Sequence, residues 1–224
     1  MKALFRPELP PGGPVAKDAI ALTFDDGPCP TATPEVLDLL GGRGAVATFF
    51  MIGERVRRSP DLARRVLREG HQVANHSDRH AAFRSLVPAV CLREAEKAQR
   101  SFESVLGVAP RFYRPPKGLL DPWAVRALRR AGYDVATWSL MPGDYFLWHT
   151  PAGIRRRLEG VKPGDIVVLH DGLGLRPEPD RRRMLRMLPG WLREIADKGL
   201  RPVALAELLG RPAYFPAGPG PKGS

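Results

Sequence analysis

Short apolar runs alternate with longer amphipathic segments along almost the whole chain, and this alternation restricts the fold more than any other feature. The runs Ala19–Phe24, Val46–Ile52, Gln72–Asn75, Arg111–Tyr113, Asp134–Ser139, Ile166–Leu169 and Arg201–Val203 read as seven strands. Between them lie helical patterns with readable starts. Thr33-Pro34, Ser59-Pro60, Asp121-Pro122 and Thr150-Pro151 each place a capping side chain before a proline suited to the first helical position. Gly70 and Gly132 read as helix stops, and Ser85–Leu106 and Arg181–Lys198 as further amphipathic helices. Strands that alternate with helices predict βα units, hence an α/β fold built on a parallel sheet or barrel. The 224 residues allow one domain with a sizeable core. Its expected span is residues 18–210, after an N-terminal extension (1–17) and before a loose Pro/Gly-rich tail (211–224).

The first strand runs into Thr23-Phe24-Asp25-Asp26-Gly27-Pro28. Two adjacent carboxylates at a strand end permit a division of labour, in which one holds a metal while its neighbour moves protons. The same residues also suit an ordinary turn after a strand. Fifty residues on, His76-Ser77-Asp78-Arg79-His80 sets two imidazoles four apart, on one face if the segment enters a helix. With a carboxylate they make a two-histidine, one-carboxylate set suited to Zn²⁺ or another divalent ion, with positions open for water and substrate. A solvated helix face would carry the same spacing.

Three later segments add polar groups: Arg114-Pro115-Pro116-Lys117-Gly118, Trp138 to Tyr145, and Val167-Val168-Leu169-His170-Asp171-Gly172. Asp25, Asp26, His76, Arg114, Asp144 and His170 all fall just beyond the carboxyl ends of predicted strands, where barrel enzymes build their sites. In this order the segments resemble the polysaccharide deacetylase family, the metal-dependent de-N-acetylases that share the nodulation-deacetylase homology domain. The resemblance runs from about Asp18 to Leu209. It implies a distorted (β/α) barrel with about seven parallel strands. It also implies a divalent metal, Zn²⁺ before Co²⁺, Mn²⁺ or Ni²⁺, held by Asp26, His76 and His80. Asp25 becomes the base that takes a proton from water, Arg114 its partner, and His170 the acid that protonates the leaving amine. Asp144 keeps His170 charged, and the backbone N–H of Lys117 helps hold the oxyanion.

Departures from the family pattern concern the substrate. Lys117 stands where an aromatic residue is common, Tyr145 where tryptophan usually follows the aspartate, and Met141 where an aspartate is frequent. Val168 replaces the leucine that lines the acetyl-methyl pocket, a change that keeps room for a small acyl group. Lys117 adds a cation that favours an anionic substrate. His149, beside Trp148, and His71, after Gly70, match nothing in the pattern and read as structural.

The net charge of +11 comes mainly from arginine clusters at 55/57/58, 64/65, 129/130, 155–157 and 181–183. Three readings compete: solvated helix faces, attraction to an anionic surface or substrate, and nucleic-acid binding. The last is the weakest, because the clusters lie on separate helices without interleaved aromatics, and no nucleic-acid partner is expected. Cys29 and Cys91 could pair once but cannot make a disulfide framework. Residues 1–7 show no secretory signal and no run suits a membrane span, so the literal expectation is cytoplasmic, or a cell-wall location if an export segment was removed.

The resulting expectation is a metal-dependent N-deacetylase of N-acetylglucosamine-containing oligo- or polysaccharide, of peptidoglycan or chitin type. A deacylase of lipid-linked or small acylated amino sugars is the enzymatic alternative, and a degenerate glycan-binding barrel the alternative from another class.

Overall fold

The computed structural model describes residues 16–81, 86–119, 121–146 and 148–216. Seven strands form one sheet: β1 (Ala19–Gly27), β2 (Thr48–Met51), β3 (Gln72–Asn75), β4 (Phe112–Tyr113), β5 (Asp134–Val135), β6 (Ile166–His170) and β7 (Arg201–Val203). Their order is β5-β4-β3-β2-β1-β6, β7 pairs with the first residues of β1, and every pairing is parallel. Just past β5, a parallel bridge joins Leu140 to Val167 of β6. Ser139 N donates to Ile166 O (2.9 Å) and Val168 N to Leu140 O (3.0 Å), so the sheet curls from one edge round to the other. The outcome is the expected α/β distorted barrel.

Both faces of the sheet are buried, as parallel strands require. Ile20, Leu22 and Phe24 of β1 pack outward with Phe49, Val73, Val167 and Leu169 against the helices. Ala19 and Ala21 point inward with Phe50, Ala74, Ile166 and Val168. Among the described residues eight α-helices surround this core: α1 (Thr33–Gly41), α2 (Gly53–Arg58), α3 (Pro60–Arg68), α4 (Pro88–Leu106), α5 (Pro122–Arg130), α6 (Pro151–Leu158), α7 (Arg182–Asp197) and α8 (Leu205–Leu209). None among the described residues is long and apolar enough to cross a membrane.

Some local expectations need correction. Asp121 and Thr150 cap α5 and α6 through their side chains, but Thr33 and Ser59 do not cap. Thr33 lies inside α1 and donates its hydroxyl to Asp171. The helix expected from Ser85 begins at Pro88, and Ser85 lies outside the described residues. The strand expected through Ser139 leaves its ladder after Val135. The reason is chemical: the carbonyls of Ala136 and Thr137 accept from the Arg114 guanidinium instead of a neighbouring strand. The tail is not loose from its start. The Tyr214 hydroxyl accepts from Val73 N (3.2 Å), Phe215 N donates to Ala109 O (2.8 Å), and the Phe215 ring meets Tyr133. Cys29 and Cys91 are buried and unpaired, and burial pushes the Cys91 thiol up to about 11.

Candidate active site

β1 is flanked at its carboxyl end by β2 and β6, so Asp25 lies between Phe50 and His170. In a regular strand Asp26 would face the opposite side from Asp25. Here the register shifts between Asp25 and Gly27, and Asp26 takes the left-handed φ of 74°. Both carboxylates therefore reach one imidazole: His76 Nε2 is 3.9 Å from Asp25 Oδ2 and 3.4 Å from Asp26 Oδ1.

His76 follows β3, and the segment to His80 is not helical, so the condition under which their spacing would put both on one helix face is not met. Ser77 (φ 66°) and His80 (φ 56°) are left-handed and turn the chain back on itself, and Ser77 Oγ accepts from His80 N (3.0 Å). The imidazoles end 5.1 Å apart, with His80 Nε2 3.1 Å from Asp26 Oδ1. The loop is docked from outside: Gly53 N and Glu54 N of α2 donate to the carbonyls of Ser77 and Asp78, and Arg57 and Lys97 pair with Asp78. His76 Nδ1–H donates to Arg114 O (2.8 Å), which leaves Nε2 as the free ligand atom.

Asp26, His76 and His80 each offer a ligand atom within 4.8 Å of the others. Asp26 Oδ1 is buried and receives no hydrogen bond, a costly state unless a cation completes it. The donor set thus fits a divalent ion. Burial alone would raise the Asp26 pKa, but His76 and His80 hold it well below the usual carboxylate range. Burial pushes His80 down to about 4, so it stands neutral and ready to ligate. Burial also works against charge on His76, yet Asp25 and Asp26 outweigh it and raise its pKa.

Arg114 is fully buried beneath Asp25, with Nη1 2.6 Å from Asp25 Oδ1 and 2.8 Å from Thr23 Oγ1. Its Nε and Nη2 donate to Ala136 O and Thr137 O, and its guanidinium lies 3.9 Å from the Phe50 ring centre. A buried cation with every face occupied is a fixed one.

On the other side, His170 ends β6 with a side chain 14% exposed. Its Nδ1–H donates to Asp144 Oδ1 (2.9 Å), and its backbone N donates to Asp144 Oδ2 (2.9 Å). Burial disfavours the imidazolium, but Asp144 more than compensates and raises the His170 pKa. Tyr145 sets its ring edge-on to His170 at 4.9 Å, and its hydroxyl reaches Met141 Sδ. Lys117 is exposed and left-handed (φ 59°), before Gly118, where a Cβ would collide with Trp138. Val168 is buried in the inner cluster with Phe50, Ala136 and Trp138. Asp26, Ser77, His80 and Lys117 are the non-glycine residues with positive φ among those described; the first three lie in or between the residues of the Asp26–His76–His80 cluster, and Lys117 follows Arg114 by three residues.

Sequence reasoning missed three supporting residues. Arg181, placed by sequence only in one of the surface arginine clusters, is buried; it donates to Asp144 Oδ2 and to His170 O (2.9 Å). Arg55 is likewise buried and donates to the carbonyls of Gly174 and Arg176. Asp171 is buried behind Gly27, and burial pushes its carboxyl up to about 7. Its place beside His170 was the one local signal.

The profile of the polysaccharide deacetylase family matches residues 12–136. A peptidoglycan-N-acetylglucosamine deacetylase of Bacillus cereus is 37% identical over 214 residues, 92% of this chain and 98% of that protein. A chitooligosaccharide deacetylase of Bradyrhizobium sp. is 39% identical over 155 residues, 69% of this chain and 71% of that protein. Among solved structures, a peptidoglycan N-acetylglucosamine deacetylase in complex with 4-naphthalen-1-yl-N-oxidanyl-benzamide superposes with a TM-score of 0.83 at 26% identity, covering 91% of this chain and 93% of that one. A family 4 carbohydrate esterase from Streptomyces lividans in complex with acetate gives 0.76 at 26% identity, covering 88% and 97%. The chain belongs to the polysaccharide deacetylase family.

Proposed function

We propose that the chain is a divalent-metal-dependent hydrolase that removes N-acetyl groups from N-acetylglucosamine-containing glycans of peptidoglycan or chitin type. The observation that carries this reading is the unsatisfied Asp26 carboxylate oxygen, ringed by His76 and His80 and flanked by a second carboxylate whose partner is a buried arginine. Relatives named for peptidoglycan and chitooligosaccharide deacetylation support the substrate class, as does the acetate bound by the Streptomyces lividans esterase. The N-hydroxyamide bound by another relative belongs to a class of compounds that chelate divalent cations through two oxygens.

Asp26, His76 and His80 would hold the ion, Zn²⁺ or otherwise Co²⁺, Mn²⁺ or Ni²⁺, which when bound supplies Lewis acidity to the acetyl carbonyl and to water. Asp25 accepts a proton as the water oxygen adds to the acetyl carbon, and Arg114 fixes the orientation of that carboxylate. The backbone N–H of Lys117 steadies the developing oxyanion. An amine leaves poorly as an anion, so His170 delivers a proton to nitrogen as the C–N bond breaks, while Asp144 keeps the imidazole charged and aimed. Acetate and a free amino sugar result. Val168 and Tyr145 border the acyl group, and the Lys117 cation favours substrates that carry negative charge nearby.

Acetate release from N-acetylglucosamine oligomers, by chelated protein before and after addition of Zn²⁺, Co²⁺ or Mn²⁺, tests this directly. Release that returns with metal and vanishes in Asp25→Asn is the expected result. Stoichiometric metal binding without release from any oligomer would overturn the glycan reading in favour of lipid-linked or small acylated sugars.

A further inference from the structure

We propose that the loop after β5 carries a sugar-stacking platform, centred on the free face of Trp148, that takes a further pyranose ring of the glycan beyond the one being deacetylated. This rests on the deacetylase reading and adds to it a subsite built by residues of this chain.

The observation is a continuous run of rings leading away from His170. Tyr145 stands edge-on to His170 at 4.9 Å, Phe146 lies 4.3 Å from Tyr145, and Trp148 stacks on Phe146 at 4.6 Å with only 26° between planes. Exposure rises along the same path. Asp144 is buried, Tyr145 and Phe146 are half-buried, and Trp148 is 74% exposed. One indole face is covered by Phe146, so the exposed area includes the other.

The described residues on either side of Trp148 are also braced by their own bonding. His149 Nδ1–H donates to Gly143 O (2.8 Å), Phe146 N donates to Gly143 O (3.1 Å), and His149 N donates to Phe146 O (3.1 Å). Gly143 is left-handed (φ 73°), and a Cβ there would press on Phe146 and His149. Thr150 then caps α6 and anchors the far end. Trp123 is nearly as exposed, so exposure alone marks nothing; what sets Trp148 apart is that it ends a contiguous row of rings beginning at His170, an apolar surface continuous with the site. A pyranose presents an apolar face of C–H bonds and keeps its hydroxyls at the edge, so it can cover an indole without burying unpaired polar groups. Connection to His170 through ring-to-ring contact selects a glycan over other flat ligands, since the bound ring must be tethered to the sugar at the site.

The test compares kcat/KM for the N-acetylglucosamine dimer and pentamer in the metal-loaded wild type, Trp148→Ala and Trp148→Phe. The wild type should favour the pentamer. Trp148→Ala should lower that preference about tenfold, mainly through KM, and Trp148→Phe should retain most of it. Loss of the exposed indole should leave the melting curve within a few degrees, which separates the effect from misfolding. A wild type indifferent to length, or a preference that survives in Trp148→Ala, overturns the platform. If no acetate is released from either oligomer, the deacetylase reading fails separately. Fluorescence of a Trp123→Phe background then decides: quenching by the pentamer that is absent after Trp148→Ala supports the platform, and no quenching overturns it.

Discussion

Arg114 Nη1 lies 2.6 Å from Asp25 Oδ1, and the same guanidinium hydrogen-bonds Thr23, Ala136 and Thr137, so one buried cation joins β4 to β1 and to the segment after β5. Arg114→Met should strand the Asp25 carboxylate without a partner and cost about 3–5 kcal/mol of stability. Activity should fall by roughly 100-fold or more with the base misplaced. Arg114→Lys should recover little, because a point charge cannot reproduce the fork. Urea unfolding and acetate release measure both effects, and an active, stable Arg114→Met would deny the residue its role.

With His170 as the proposed acid, the Asp144–His170 pair should govern the alkaline side of the pH profile. Asp144 raises the His170 pKa above its ordinary 6.5 despite burial, so the imidazolium persists to higher pH and activity falls as pH rises through the raised value. The pair's contribution to stability has the same sign: present in full below 6.5, it fades as pH rises through the folded-state pKa. Asp144→Asn should move the alkaline limb of kcat/KM to lower pH. A limb that stays in place would assign it to another group.

Metal binding should be visible as stability, apart from turnover. At a metal concentration of about 100 times Kd, the gain is about 2.7 kcal/mol, read as a raised melting temperature that EDTA reverses. His80→Ala should abolish the shift. Burial opposes charge on His76 but Asp25 and Asp26 raise its pKa, so below that raised value binding displaces a proton, and affinity should tighten as pH rises through it. Calorimetry in buffers of different ionisation enthalpy would count the proton.

Gly172 offers a test through the backbone, since a Cβ there would overlap the Asp26 carbonyl, an atom that cannot swing aside. Gly172→Ala should therefore weaken metal affinity without touching a ligand, and cost roughly 1–3 kcal/mol. Unchanged metal affinity would show that the Asp26 turn tolerates displacement.

The seven strands were legible because buried parallel strands read as apolar runs between turn residues, and the clustering of the candidate residues was legible because those polar groups follow the runs. What was not legible depends on contacts distant in sequence. His76 and His80 meet through two left-handed residues, a geometry their spacing cannot reveal. The strand after Asp134 is cut short by a guanidinium from β4's end, and Arg181 is buried by a carboxylate 37 residues away. An arginine that looks solvated in a run of arginines differs from its neighbours only by where the chain folds it.

The kink that turns Asp26 to the same side as Asp25 couples the two proposed roles, metal ligand and base, to one backbone irregularity. Were the strand straightened by a single-residue deletion, its outward-facing apolar residues could still find the helices, yet the base and the metal ligand would part company in one step. Catalysis in such a barrel is thus easier to lose than architecture. A descendant that kept every strand and lost only this irregularity would be expected to fold, to resemble its parent closely, and to hydrolyse nothing.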